Sequence, residues 1–196
     1  MTAAESGLDV VELYVEALAT FGNAVRDVAD HEWDLPTPCY EWNVKEIVAH
    51  VVLGEAHLPA VLSGETANTQ TTFAVELLGL NPLSTWRGTA LRAIEAARRP
   101  GLVAETFELD MGPVTGRQLL GYRITDNVIH AWDVAIGVGR AVPIDDHYAD
   151  WLLEFWQPVA TQMSDSDFFG EPLEPPEGAS PGVRLLALLG RRPPNS

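Results

Sequence analysis

Between Gly116 and Gly137 the sequence reads GRQLLGYRITDNVIHAWDVAIG, and a helix built from it has no wholly polar face. Leu119, Leu120, Tyr122, Ile124, Val128, Ile129, Trp132, Val134 and Ile136 spread around the wheel. A helix without a solvated side must lie among other elements, so this segment predicts a central helix with partners around it. Each polar side chain on it is costly to bury and requires a partner or a function.

The partners are also helical. Leu8, Val11, Tyr14, Val15, Leu18, Phe21, Val25 and Val28 recur at helical spacing and predict a first helix from about Leu8 to Ala29. The prolines of Trp33-Asp34-Leu35-Pro36-Thr37-Pro38-Cys39 break it into a loop. Asn43 is a good N-cap with Glu46 at the capping-box position, so a second helix is expected to about Ser63, stopped by Gly64. The stretch Glu65 to Pro82 is expected to hold an irregular helix. A third helix is expected over Ser84 to Arg98, capped by Ser84, with Arg98 and Arg99 at its negative end and Pro100-Gly101 as its stop. Ala104 to Leu109 alternates weakly before a Gly112-Pro113 turn, which fits a hairpin or an extended linker. A fifth helix is expected from about Asp145 to Met163, its Trp151, Leu152, Phe155 and Trp156 stripe reading as core packing. A loop over Asp165 to Pro181 leads to a short helix, Gly182 to Leu189, opened by Ser180-Pro181. The expected fold is all-α: four main helices with short additions and little or no β. One domain is expected over residues 1–196, with 165–196 as a C-terminal loop and short helix.

The chain carries 12 Lys+Arg against 28 Asp+Glu, a formal net charge of −16. No basic stripe is present to displace counterions from phosphates, so a nucleic-acid partner is not expected, and anionic membrane surfaces are disfavoured. No apolar run approaches the roughly 18 residues of a membrane span. Met1 to Ser6 lacks the basic and apolar regions of a signal peptide, so a cytoplasmic location is expected. Cys39 is the single cysteine, which excludes an intramolecular disulfide.

The chemistry-bearing residues concentrate on two helices. Asp126 and His130 stand four apart, one helical turn, so their side chains share a face. His50 lies in the apolar run Ile47 to Leu53 of the second helix. Two imidazoles and a carboxylate from two helices make three metal ligands, with a coordination position left open for water or substrate. The alternative is a buried Asp126–His130 hydrogen bond that orients the helix, with His50 bonded to a backbone carbonyl. His57, two turns after His50, and Glu46, one turn before it, are each open to two roles: a partner that orients His50, or a solvent-facing residue. His31 and His147 read as surface residues. Cys39, between Pro38 and Tyr40, reads as a structural thiol. No Gly-x-Ser-x-Gly elbow, phosphate loop or dinucleotide fingerprint is present, and Gly137-Val138-Gly139 ends a helix instead of opening one.

Three stretches together resemble a known family: Trp33 with Thr37-Pro38-Cys39-Tyr40-Glu41-Trp42-Asn43 through His50; Asp126-x-x-x-His130-Ala131-Trp132-Asp133-Val134-Ala135-Ile136-Gly137; and Ser180-Pro181-Gly182-Val183-Arg184 through Arg191. They are similar to the actinobacterial branch of the DinB/YfiT-like superfamily, which includes the N-terminal domain of mycothiol-dependent maleylpyruvate isomerase. The resemblance implies an up-up-down-down four-helix bundle with a long crossover. It also implies a divalent metal, usually zinc, on three side chains that fall here on His50, Asp126 and His130. The isomerases resembled use glutamate as the carboxylate, and Asp126 is shorter by one methylene, about 1.5 Å. No separate C-terminal domain like that of the full isomerases is expected.

The resemblance points to thiol chemistry. Zinc favours thiolate and lowers a thiol's pKa, so a low-molecular-weight thiol, mycothiol by family resemblance, would attack a small electrophile in S-transfer or isomerisation. Asp133 and His57 are the expected catalytic residues, Asp133 orienting a ligand or meeting a substrate hydroxyl, with capping or a tertiary hydrogen bond as its alternative role. Two alternatives stay open: a metal-dependent hydrolase using activated water, and a non-catalytic metal- or small-molecule-binding bundle. The expected partners are a small-molecule substrate and the thiol, with the chain a monomer or homodimer.

Overall fold

The structure is a computed structural model, and it describes residues 9–40, 42–65, 75–109, 112–140, 142–158 and 170–192. Six helices, α1 Val10–Arg26, α2 Val44–Leu62, α3 Pro82–Ala97, α4 Gly116–Gly137, α5 Asp146–Trp156 and α6 Pro181–Leu188, carry the fold. One two-stranded antiparallel hairpin, β1 Thr106–Leu109 and β2 Gly112–Thr115, is the sheet among the described residues. The chain is therefore all-α with a small β addition, as expected.

The caps explain most boundaries. Asn43 Oδ1 accepts from Glu46 N at 2.9 Å and Glu46 Oε2 accepts from Asn43 N at 2.8 Å, the reciprocal box expected at the start of α2. Glu46 is thereby committed to the helix end and does not orient His50. Thr115 and Gln118 form the same device at α4. α3 begins earlier than expected. Its cap is Asn81, which accepts from Ser84 N at 2.9 Å, and Pro82 takes the first turn, where its fixed φ suits the helix. α1 stops at Arg26, three residues short of expectation, because Asp27 closes the last turn with its N–H on Asn23 and Ala24 carbonyls. Leu8 and the expected stretch 159–163 of the fifth helix lie outside the described residues, as does half of the Glu65–Pro82 segment, residues 66–74; a short 3-10 turn follows at Val75–Leu78. Arg99 serves a neighbour instead of its own helix, donating from Nη2 to Leu62 O at the end of α2 (3.0 Å) and to Glu105 (2.7 Å).

α4 is the central element, with 16 of its 22 residues buried. α1, α2 and α5 pack on it, α3 packs on α1 and α2, and α6 packs on α5. Tyr14, Leu18 and Phe21 of α1, Ile47 and Val48 of α2 and Leu120, Ile124 and Ile129 of α4 fill the interior. The stripe of α5 packs as expected, with Trp151, Leu152 and Trp156 buried and Trp156 Nε1 donating to Thr125 Oγ1 of α4 at 3.0 Å. The loop before α2 folds back over the end of α4. A Cβ on Gly137 would stand 3.0 Å from Pro36 O and from Thr37 Cγ2, so a small residue at that point lets the loop lie against the helix. The loop delivers Cys39 and Trp42 to the same end of α4 as His130.

Candidate metal centre

His50 from α2 and Asp126 and His130 from α4 converge, with one ligand atom from each lying within 4.8 Å of the others. His50 Nε2 stands 3.7 Å from Asp126 Oδ2. Two ligands about 2.1 Å from a tetrahedral zinc are about 3.4 Å apart, so this pair needs a shift of a few tenths of an ångström to share an ion. The His50 and His130 rings meet edge to face at 5.3 Å between centroids, and the Trp42 ring lies 4.8 Å from His50 and 5.9 Å from His130. The His50 and Asp126 side chains keep 23% and 24% of their surface exposed, so the group opens to solvent.

Asp126 and His130 do not pair with each other in the hydrogen-bond sense their spacing allows. Each has a partner three residues away on α4. Arg123 Nη1 donates to Asp126 Oδ2 at 2.6 Å, and His130 Nδ1 donates to Asp133 Oδ2 at 2.9 Å. The second contact commits Nδ1 as the N–H and leaves Nε2 as the lone-pair nitrogen, the carboxylate–histidine arrangement that orients metal-binding imidazoles. Burial holds the His130 imidazole below its ordinary range, against the pull of Asp133, which keeps the ring neutral near pH 7. Burial works to raise the Asp126 carboxyl, but Arg123 and His50 outweigh it and hold it well below the usual carboxylate range. A neutral imidazole and an ionised carboxylate are the forms a cation requires. A carboxylate has lone-pair sites to spare beyond the one Arg123 takes. The donor set fits a divalent ion.

Beneath this group lies a polar cluster that the spacing arguments missed. Glu55, on α2, is fully buried. Its Oε1 accepts from Arg123 Nε (3.0 Å), Arg123 Nη2 (2.9 Å) and Asn127 Nδ2 (2.6 Å), and its Oε2 accepts from Tyr14 OH. Gly54 makes room for this, since a Cβ there would stand 2.5 Å from Arg123 Nη1. Arg123 and Asn127 thus satisfy Glu55, and Arg123 carries the chain of contacts on to Asp126, while Asn127 Oδ1 is buried without a hydrogen-bond partner. A charged residue just beyond the apolar run of α2 and another inside α4 were the available signal, but nothing in the sequence paired them.

On the other side of His130, Asp133 is fully buried. Arg191 holds it, with Nη2 3.2 Å from Oδ2 and Nε 3.5 Å from Oδ1. Asp133 has no exposed surface, and its carboxylate oxygens face His130 and Arg191. Cys39, His130 and Asp133 form a second group with cation-binding spacing. That space is served by the Arg191 guanidinium, whose Nη2 also lies 3.4 Å from Cys39 Sγ. Burial pushes the Cys39 thiol up to about 11, against the pull of Arg191, in keeping with a structural thiol. His57 is half-buried on α2 and makes no hydrogen bond or ion pair with His50, Asp126 or His130. His31 and His147 are exposed, as expected; His147 Nε2 lies 3.6 Å from Glu16.

These features define the class: an all-α DinB-like protein with a two-histidine, one-carboxylate group between its second and fourth helices. Residues 14–135 match the mycothiol maleylpyruvate isomerase N-terminal domain, and the chain belongs to that family. Over 191 residues, 94% of this chain and 98% of theirs, it is 28% identical to two proteins of Mycobacterium tuberculosis, uncharacterized protein MT0763 and uncharacterized protein Rv0738. The fold is also similar to the crystal structure of the mycothiol-dependent maleylpyruvate isomerase, with a TM-score of 0.61 and 16% identity over 80% of this chain and 70% of that one. A single-substitution mutant of the isomerase gives a TM-score of 0.60 and 14% identity over the same shares. Among the described residues, no helix is long and apolar enough to cross a membrane.

Proposed function

We propose that this protein is a divalent-metal enzyme that activates a low-molecular-weight thiol, mycothiol, for isomerisation of a small electrophile or S-transfer to it, in the cytoplasm. The observation that carries the reading is the convergence of His50, Asp126 and His130 within 4.8 Å, open to solvent, in a chain of this family. Zinc is the ion that suits two imidazoles and a carboxylate with a position left for a thiol. When bound, such an ion acts as a Lewis acid that stabilises the thiolate over the thiol.

The chain's own groups prepare the site for that chemistry. Arg123 holds one Asp126 oxygen and Asp133 holds the His130 N–H, so two of the three ligands are fixed before any ligand arrives. Trp42 covers the two imidazoles and supplies an apolar wall. The formal charges of Glu55, Arg123, Asp126, Asp133 and Arg191 leave one net negative charge around the imidazoles. A dication exceeds that by one, which favours a monoanionic ligand such as a thiolate over a neutral one.

The test is turnover of an electrophile panel, maleylpyruvate included, by zinc-loaded protein with and without mycothiol. Turnover that requires the thiol, and falls at least a hundredfold in His50→Ala, supports the proposal. Equal turnover without any thiol replaces it with hydrolysis by activated water. Zinc binding with no thiol-dependent turnover on any member of the panel counts against it and in favour of a binding bundle.

A further inference from the structure

Arg191 lies just beyond α6, 58 residues from Asp133 and outside the span 14–135 matched by the family. Only 7% of it is exposed. One guanidinium gathers three parts of the chain: Asp133 on α4 through both carboxylate oxygens, Leu189 O on its own tail at 2.9 Å, and Cys39 Sγ in the loop before α2 at 3.4 Å. The tail is anchored independently. Arg191 N donates to Leu186 O at 2.8 Å, Leu189 is fully buried, and Leu173 N donates to Ala187 O at 2.8 Å. The guanidinium is therefore presented by a fixed backbone.

The geometry sets what this contact does. Asp133 is a fully buried carboxylate whose hydrogen-bond partners are Arg191 and His130. A planar fork meeting both oxygens fixes the carboxylate plane as a single ion pair cannot. A fixed Asp133 oxygen in turn fixes the N–H of the His130 ring on Nδ1. Without Arg191, Asp133 would keep a buried charge with one neutral donor, His130, and the carboxylate plane that orients the imidazole would no longer be fixed.

We propose that Arg191 is a positioning residue for the metal centre: it clamps Asp133, Asp133 holds His130 as the Nδ1–H tautomer with Nε2 as the lone-pair nitrogen, and the C-terminal tail thereby completes the site. The proposal rests on the metal-binding reading of those three residues. Its test can fail separately from that reading.

The experiment uses the full chain as wild type, Arg191→Met, Arg191→Lys, Asp133→Asn and the Arg191→Met/Asp133→Asn double variant. Zinc affinity is measured by competition with a chromophoric chelator, and the His130 ring tautomer by nitrogen-15 NMR of metal-free protein. Partners that orient a metal-bound histidine are typically worth about 10–100-fold in affinity. Arg191→Met is expected to lose that much with helix content unchanged, and its His130 ring is expected to show mixed tautomers. Arg191→Lys, which keeps the charge and loses the fork, is expected to fall between, about threefold or more below wild type. Because both residues act through one contact, adding Asp133→Asn to Arg191→Met should cost less than a further twofold. Affinity of Arg191→Met within twofold of wild type, or losses that multiply in the double variant, overturns the clamp. If Arg191→Met does not fold, Arg191→Lys decides, and wild-type affinity there overturns the clamp. If wild type binds no zinc, the metal reading fails, and the tautomer then decides for the clamp alone: a His130 ring that keeps one tautomer in the Arg191 variant overturns it.

Discussion

Replacing Gly54 by alanine should destabilise this protein, although the same change in most helix interiors stabilises. In an open helix position the exchange gains about 1 kcal/mol, because glycine loses more backbone freedom on folding. At Gly54 the new Cβ would stand 2.5 Å from Arg123 Nη1, 2.6 Å from Nη2 and 2.7 Å from Cζ, where ordinary contact begins at 3.4 Å. The guanidinium would have to retreat by 0.9 Å, and it is held by Glu55 at 2.9 and 3.0 Å and by Asp126 at 2.6 Å. Overpacking costs about 1–3 kcal/mol, and a weakened hydrogen bond to a charged group about 1.5–3 kcal/mol. Against the gain of about 1 kcal/mol, a net loss of about 1.5–5 kcal/mol is expected, or a fall in Tm of about 3–20 °C for a chain of this size. Gly88→Ala on α3 is the internal control. Its Cβ would meet nothing closer than Arg92 Nη1 at 3.7 Å, so it should be neutral or stabilising by up to about 1 kcal/mol. Urea denaturation of the metal-free proteins measures both. A Gly54→Ala protein as stable as wild type, or more stable, would show that Arg123 is not pinned between Glu55 and Asp126.

The other expectations concern the same interior. Tyr14→Phe removes the hydroxyl that donates to Glu55 Oε2 in a fully buried place; a loss of about 1.5–3 kcal/mol by urea denaturation is expected, and a loss under about 0.5 kcal/mol would count against the network. With its thiol pushed up to about 11 by burial, Cys39 should react with iodoacetamide at pH 7.5 about 300-fold more slowly than a free thiol of pKa about 8.5. That rate should go on climbing past pH 10; a plateau near pH 9 would refute it. His130 is held below its ordinary pKa chiefly by burial, so as pH falls below about 6.5 the unfolded chain takes up that proton first and metal-free stability drops. Asp126 and Asp133, whose folded pKa values lie below the ordinary range despite burial because of their cationic and histidine partners, contribute stability above about pH 4 that is lost below it. Tm measured between pH 7.5 and 5.5 should fall more steeply in wild type than in His130→Gln, and equal slopes would refute the assignment.

The helical frame and the shared face of Asp126 and His130 were legible because both depend on short-range rules, whereas the meeting of His50 with them was implied by the family resemblance. The apolar periodicity of α1, the Asn43–Glu46 box and the Asp126–His130 spacing are each settled within a turn or two of chain. His50 could be added because a histidine inside an apolar run of a second helix stands out. The clusters on either side were not legible, because they join residues far apart: Glu55 to Arg123 across 68 positions, Tyr14 to Glu55 across 41 and Arg191 to Asp133 across 58. Local spacing also favoured the wrong partners at one point. It put Asp126 and His130 one turn apart, whereas long-range packing turned each toward a residue three positions away. His57 shares a helix face with His50 by spacing, yet that face offers it no contact with the group.

The reading depends on His50, Asp126 and His130 acting together as ligands to a single ion, and zinc stoichiometry measures that most directly. After zinc loading and exhaustive buffer exchange, wild-type protein should retain about one zinc per chain, and His50→Ala and His130→Ala less than about a tenth of that. A wild type that retains none, or a His130→Ala protein that retains as much as wild type, would contradict it.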